Sequence, residues 1–212
     1  MNSQALIAEL SLKHHGAKPT SFARVYVQWL AMTLASVILT VVVLGVRPDM
    51  AQQLTSSFYI IESSLALIVV LATGAIACSL AFPDHARSSL TRIAVGIVTA
   101  GYALFIANSI FCFYGCPQSE KLMPHTFECL DCIVAFSLIP AIWAFWRLRR
   151  LATIHPVMLG ATSLLMAVTI GCFGRLLVEE EMLMDGMFLW HYAPVFILSF
   201  IGMGLGKKVF SW

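Results

Sequence analysis

The chain has 212 residues, of which 59% are hydrophobic and 11% charged, with a formal net charge of +2. Soluble domains carry about 25% charged residues, so this composition and a mean hydropathy of +0.86 exclude an ordinary water-soluble globule. No early apolar run is followed by a small-residue cleavage site, so no secretory signal is expected.

The first 23 residues are polar with a short apolar stripe. Leu6, Ile7 and Leu10 fall on one face of a short helix, with Glu9 among them. So short a helix is marginal in water and is expected to order on a partner's groove. Apolar stretches then follow at residues 24–46, 56–82, 90–113, 127–146, 157–178 and 188–206. Each is long enough to cross a ~30 Å hydrocarbon core as a helix, and helices satisfy their own backbone groups in lipid. The expected fold is therefore all-α, a polytopic bundle of six transmembrane helices over residues 24–212, preceded by the cytoplasmic segment 1–23. The connectors are short and carry breakers such as Arg47-Pro48-Asp49, Pro83-Asp84-His85 and Gly115-Cys116-Pro117. No internal repeat points to an inverted-repeat transporter.

Lysine and arginine set the orientation. Lys13, Lys18, Arg24, Arg87, Arg92, Arg147, Arg149, Arg150, Lys207 and Lys208 share one side; Arg47 and Lys121 lie on the other, which also collects Asp49, Glu120, Glu128, Glu179, Glu180, Glu181 and Asp185. The cation-rich side is expected to be cytoplasmic and to hold both termini, in a bacterial inner membrane. Arg147, Arg149 and Arg150 read as a topology anchor touching lipid headgroups. So short a patch does not read as a nucleic-acid site.

Ionisable residues inside spans are functional candidates. Glu62, Asp131, Arg175 and His191 share the outer third of the membrane, with Asn108 near them in depth. Arg175 keeps its proton and needs an acid, Glu62 or Asp131, or a route to the headgroups. The residues then either glue the bundle together or line a polar cavity open to the periplasm.

Five of the six cysteines also lie toward the outside. Cys112, Cys116, His125, Cys129 and Cys132 have spacing that resembles a thiophilic metal-ion site. Cys116 and Cys129 are also close enough in sequence for a disulfide in an oxidising periplasm. Cys78 and Cys172 read as small apolar packing residues. No phosphate-cradling glycine loop, nucleophile elbow or His-Glu-x-x-His is present, so neither an enzyme nor a bound cofactor is expected. Gly202, Gly204 and Gly206 read as a helix-packing surface.

Several segments together carry a family resemblance. They are the N-terminal stripe, Gly45-Val46-Arg47-Pro48-Asp49, Phe58 through Glu62, Pro83, His125 with Cys129-Leu130, Leu189-Trp190-His191 and the basic C-terminus. The chain resembles the NrsF family of six-pass bacterial anti-sigma factors. The resemblance implies that the N-terminal segment binds an extracytoplasmic-function sigma factor. It also implies release on oxidative or heavy-metal stress sensed through periplasmic cysteines. Cys129 matches one family cysteine. The family's second falls in the last periplasmic loop, which here reads Glu179-Glu180-Glu181-Met182-Leu183-Met184-Asp185 and holds none, leaving Cys116 or Cys172 as substitutes. Two other readings of the chain are a small transporter or metal-handling permease and a membrane thiol-redox protein using Cys129 and Cys132.

Overall fold

The computed structural model describes residues 20–115, 126–178 and 193–211. In chain order the helices are α1 (Phe22–Leu44), the short α2 (Met50–Gln53), α3 (Ser57–Leu80), α4 (Ser89–Gly115), α5 (Thr126–Leu148), α6 (Pro156–Val178) and α7 (Ala193–Val209). The described residues form no strand. The six long helices fall on the six apolar stretches, most within two or three residues of the expected ends; α2, in the first connector, was not anticipated.

Among the described residues four helices are long and apolar enough to cross a membrane: α1, α3, the Ser89–Ala107 part of α4, and α6. Helix α7 has 17 residues, the short end of the range that crosses a ~30 Å core. The outward faces are as apolar as the inward ones: Val42 and Val43 on α1 are 74% and 72% exposed and Phe200 on α7 is 68% exposed. A helix apolar all round is suited to lipid rather than to water.

The largest buried cluster joins five helices. Trp29 of α1, Ile76 of α3, Val98 of α4, Leu148 of α5 and Met166 of α6 all belong to it. Close backbone approach makes room for this packing. Trp29 sits against Gly74, where any Cβ would meet the indole ring. Helix α6 uses glycines toward two neighbours: Gly171 and Gly174 meet Ile133, Ser137 and Phe136 of α5, while Gly160 meets the backbone of Gly202 and Gly206 of α7. The expected packing role thus holds for Gly202 and Gly206. A Cβ on Gly204 would meet nothing within 4 Å, because two residues along a helix is the opposite face.

Pro140 lies inside α5. It has no N–H, so the carbonyl four residues earlier, on Phe136, loses its helical donor. Ser36 of α1 donates its hydroxyl to that carbonyl at 3.4 Å, and both groups are buried. A neighbouring helix thereby re-satisfies a group that lipid cannot. Ser36→Ala is expected to cost about 1 kcal/mol, read as a lower melting temperature of the purified protein. A Ser36→Thr variant, which keeps the hydroxyl, should recover most of the loss.

Candidate functional site at the junction of α1, α3 and α6

The site begins where α1 ends. Gly45 closes that helix at φ 88° and ψ 161°, with its N–H bonded to the carbonyl of Val41 at 2.9 Å. This backbone region is open essentially to glycine alone. The turn lays the next residues across the end of α6. The last carbonyls of any helix lack intrahelical donors, and here two of them are capped from outside. Arg47 donates its backbone N–H to Leu177 at 3.1 Å, and the hydroxyl of Tyr59 donates to Leu176 at 2.9 Å. A positive guanidinium near this helix end also complements its dipole.

Arg47 is 3% exposed although it sits in a connector. Its Nε and Nη2 donate to the two oxygens of Asp49 at 2.6 and 2.8 Å, a forked pair. Gln53, at the end of α2, donates to the same carboxylate at 2.8 Å. The short α2 therefore exists to carry a second donor back to Asp49, four residues earlier. The guanidinium also lies 5.5 Å from the centre of the Tyr59 ring, a cation–π distance. These donors hold the Asp49 carboxyl well below its ordinary range, at about 2; the Arg47 hydrogen bond is the largest cause and Gln53 the next. Asp49 stays ionised across the whole physiological range.

Glu62 follows Tyr59 by one helical turn on the same face of α3. It is 9% exposed, and Arg175 of α6 is 5% exposed. The helices that carry these two residues pack directly against each other. Of the two acids expected to balance Arg175, Glu62 is buried as Arg175 is, whereas Asp131 on α5 is exposed. The cluster joins two cations, Arg47 and Arg175, to two acids, Asp49 and Glu62. Its apolar wall is Tyr59, Ala66 and Leu176, with Met50, Phe105 and Phe173 against them. In the sequence Arg47 stands only as one of two cations on the outer side, and no pattern there singles out Tyr59 or Gln53. The available signal was that Arg47-Pro48-Asp49 and Phe58 through Glu62 are two of the segments carrying the family resemblance, and they fold against each other.

The remaining expected residues divide plainly. Cys78 is fully buried in the main core and Cys172 packs beside Ile133, Val168 and Val195, the packing positions expected of them. The side chains of Asn108, Cys112, Cys129 and Cys132, and the whole of Leu6, Ile7, Glu9, Leu10, Cys116, His125 and His191, lie outside the described residues. Among the described residues no three metal-ligating side chains come together.

The fold and site define a class: an all-helical membrane protein with charged side chains buried among its helices. A family model, NrsF, negative regulator of sigma F, matches residues 11–212. The chain belongs to the NrsF family, and a negative regulator of sigma F implies a sigma-factor partner. The match begins just after Leu10, so the expected sigma-binding residues lie outside it. No curated protein and no solved structure matches the chain.

Proposed function

We propose that this protein is an anti-sigma factor of the bacterial inner membrane, with six spans and both termini in the cytoplasm. It holds an extracytoplasmic-function sigma factor through Leu6, Ile7, Glu9 and Leu10. It releases that factor when an oxidant or a thiophilic metal ion acts on Cys116, His125, Cys129 or Cys132 from the periplasmic side. The role is regulatory, with no catalysis and no cofactor. The observation that carries the reading is the family match over 11–212 on a chain of long helices that are apolar on both faces. The distribution of lysine and arginine supports the orientation.

The buried cluster supplies the physical connection such a regulator needs. A signal is transmitted only if it favours one arrangement of the bundle over another. The connector after α1 is bonded to the end of α6 through the backbone N–H of Arg47, and α3 is bonded to it through the Tyr59 hydroxyl. The loop that follows α6 is expected on the periplasmic side, and residues 1–19 lead directly into α1. A shift at the end of α6 is therefore passed to α1 through hydrogen-bonded, buried groups. Glu62 and Arg175 add the charge that makes intermediate positions costly.

The test is capture of the partner. Leu6→Glu and Leu10→Glu each place a charge on the apolar stripe. Each is expected to lower co-purification of the sigma factor, identified by mass spectrometry, by about tenfold or more, with membrane insertion intact. Undiminished co-purification with both variants would sink the N-terminal binding mode.

A further inference from the structure

An open apolar cleft runs between α1 and α5 at the cation-rich end of the bundle. It has a volume of about 280 Å³ and is lined by Met32, Ile139, Ile142, Trp143 and Trp146. Its outer wall faces the surroundings, since Ile142 is 62% exposed and Trp146 is 47% exposed. Two arginines stand at its mouth. Arg147 donates its Nε to Gln28 of α1 at 3.1 Å, a bond that bridges the two helices one turn beyond Met32. Arg150 holds its guanidinium 4.0 Å from the centre of the Trp146 ring, on the aromatic side chain that forms the cleft wall. A guanidinium has five N–H donors; among the described residues the others on Arg147, and all of those on the Arg150 side chain, have no hydrogen-bond partner.

We infer that this cleft is a binding site for one anionic glycerophospholipid of the cytoplasmic leaflet. One acyl chain lies along the cleft and the phosphate sits between Arg147 and Arg150. The walls offer a ligand nothing but hydrocarbon and aromatic surface, which suits an acyl chain and not a polar peptide. Charge favours the same occupant. Arg147, Arg149 and Arg150 attract a phosphate, whereas the chain's own segment 1–19 carries Lys13 and Lys18 against a single acid, Glu9. A tryptophan at the interface with a cation stacked on it is also the arrangement expected at headgroup depth. The bound lipid would fasten α1, the helix that carries the N-terminal segment, to α5.

The inference rests on the membrane reading, which carbonate extraction of cell membranes tests separately. The experiment uses the full-length protein in mild detergent with phosphatidylglycerol or phosphatidylcholine of identical chains. Native mass spectrometry counts retained lipid, and a phosphatidylglycerol with a photoreactive acyl chain locates it. Expected are one tightly retained phosphatidylglycerol, a preference over phosphatidylcholine of about tenfold or more, and cross-links in peptides holding Met32 and Ile139 to Trp146. The Arg147→Gln/Arg150→Gln variant should lose the preference and still bind both lipids alike. Equal retention of the two lipids by the unaltered protein would overturn the inference. So would cross-links confined to other helices, or residues 1–19 cross-linking to Trp146 and excluding the lipid.

Discussion

Gly160→Leu is expected to destabilise the protein by about 3 kcal/mol or more. The position faces backbone, not flexible side chains. A Cβ there would overlap the Gly202 carbonyl and come within 2.5 Å of the Gly206 Cα and 2.7 Å of its nitrogen. Neither helix can yield locally, so α7 must move away from α6 as a body. In lipid the loss is large because helix association rests on close van der Waals contact between small residues rather than on exclusion of water. The measurement is the fraction of monodisperse protein after a temperature ramp in detergent. Gly204→Leu is the control: its Cβ meets nothing within 4 Å, and its melting curve should overlay that of the unaltered protein.

Arg47→Met is the second large effect, expected at roughly 2–3 kcal/mol. It removes both bonds of the fork and the cation over Tyr59, and leaves Gln53 as the remaining side-chain donor to Asp49 among the described residues. The shape of methionine keeps the apolar contacts, so the loss reports the charge and its hydrogen bonds. The pH dependence has a definite sign. The folded-state pKa of Asp49 is depressed from 3.8 to about 2. The ion pair's contribution is therefore complete above about pH 4 and is lost as the pH falls toward 2. The share of the difference between the unaltered protein and Arg47→Met that comes from Asp49 should shrink only below about pH 4. Tyr59→Phe, which removes the donor to Leu176 alone, should cost about 1 kcal/mol.

The six apolar stretches were legible because hydropathy over about 20 residues is a local property. Who packs on whom was not. Gly202 and Gly206 are spaced i, i+4 and could be assigned to one face, with Gly204 on another. Their partner Gly160 carries no signal of its own. The proline in α5 marked Phe136 as a carbonyl without a helical donor, yet the donor, Ser36, lies 100 residues away. Arg47 shows the limit most clearly. In sequence it is a cation in a polar connector, where exposure is the natural expectation. Its burial is made by the end of α6, some 130 residues later, and by the aromatic ring of Tyr59. That Glu62 and Arg175 are buried on helices that touch depended on which helices are neighbours. Helices α3 and α6 pack directly against each other, an adjacency that no short motif encodes.

The most direct test of the regulator account is where the sigma factor resides in unstressed cells. Membranes are separated from cytosol, and the sigma factor is measured in each fraction with the full chain or with residues 2–19 deleted. The account predicts that it sediments with the membranes in the first case and is released to the cytosol in the second. A sigma factor that remains cytosolic beside the full chain, or stays at the membrane without residues 2–19, would contradict it.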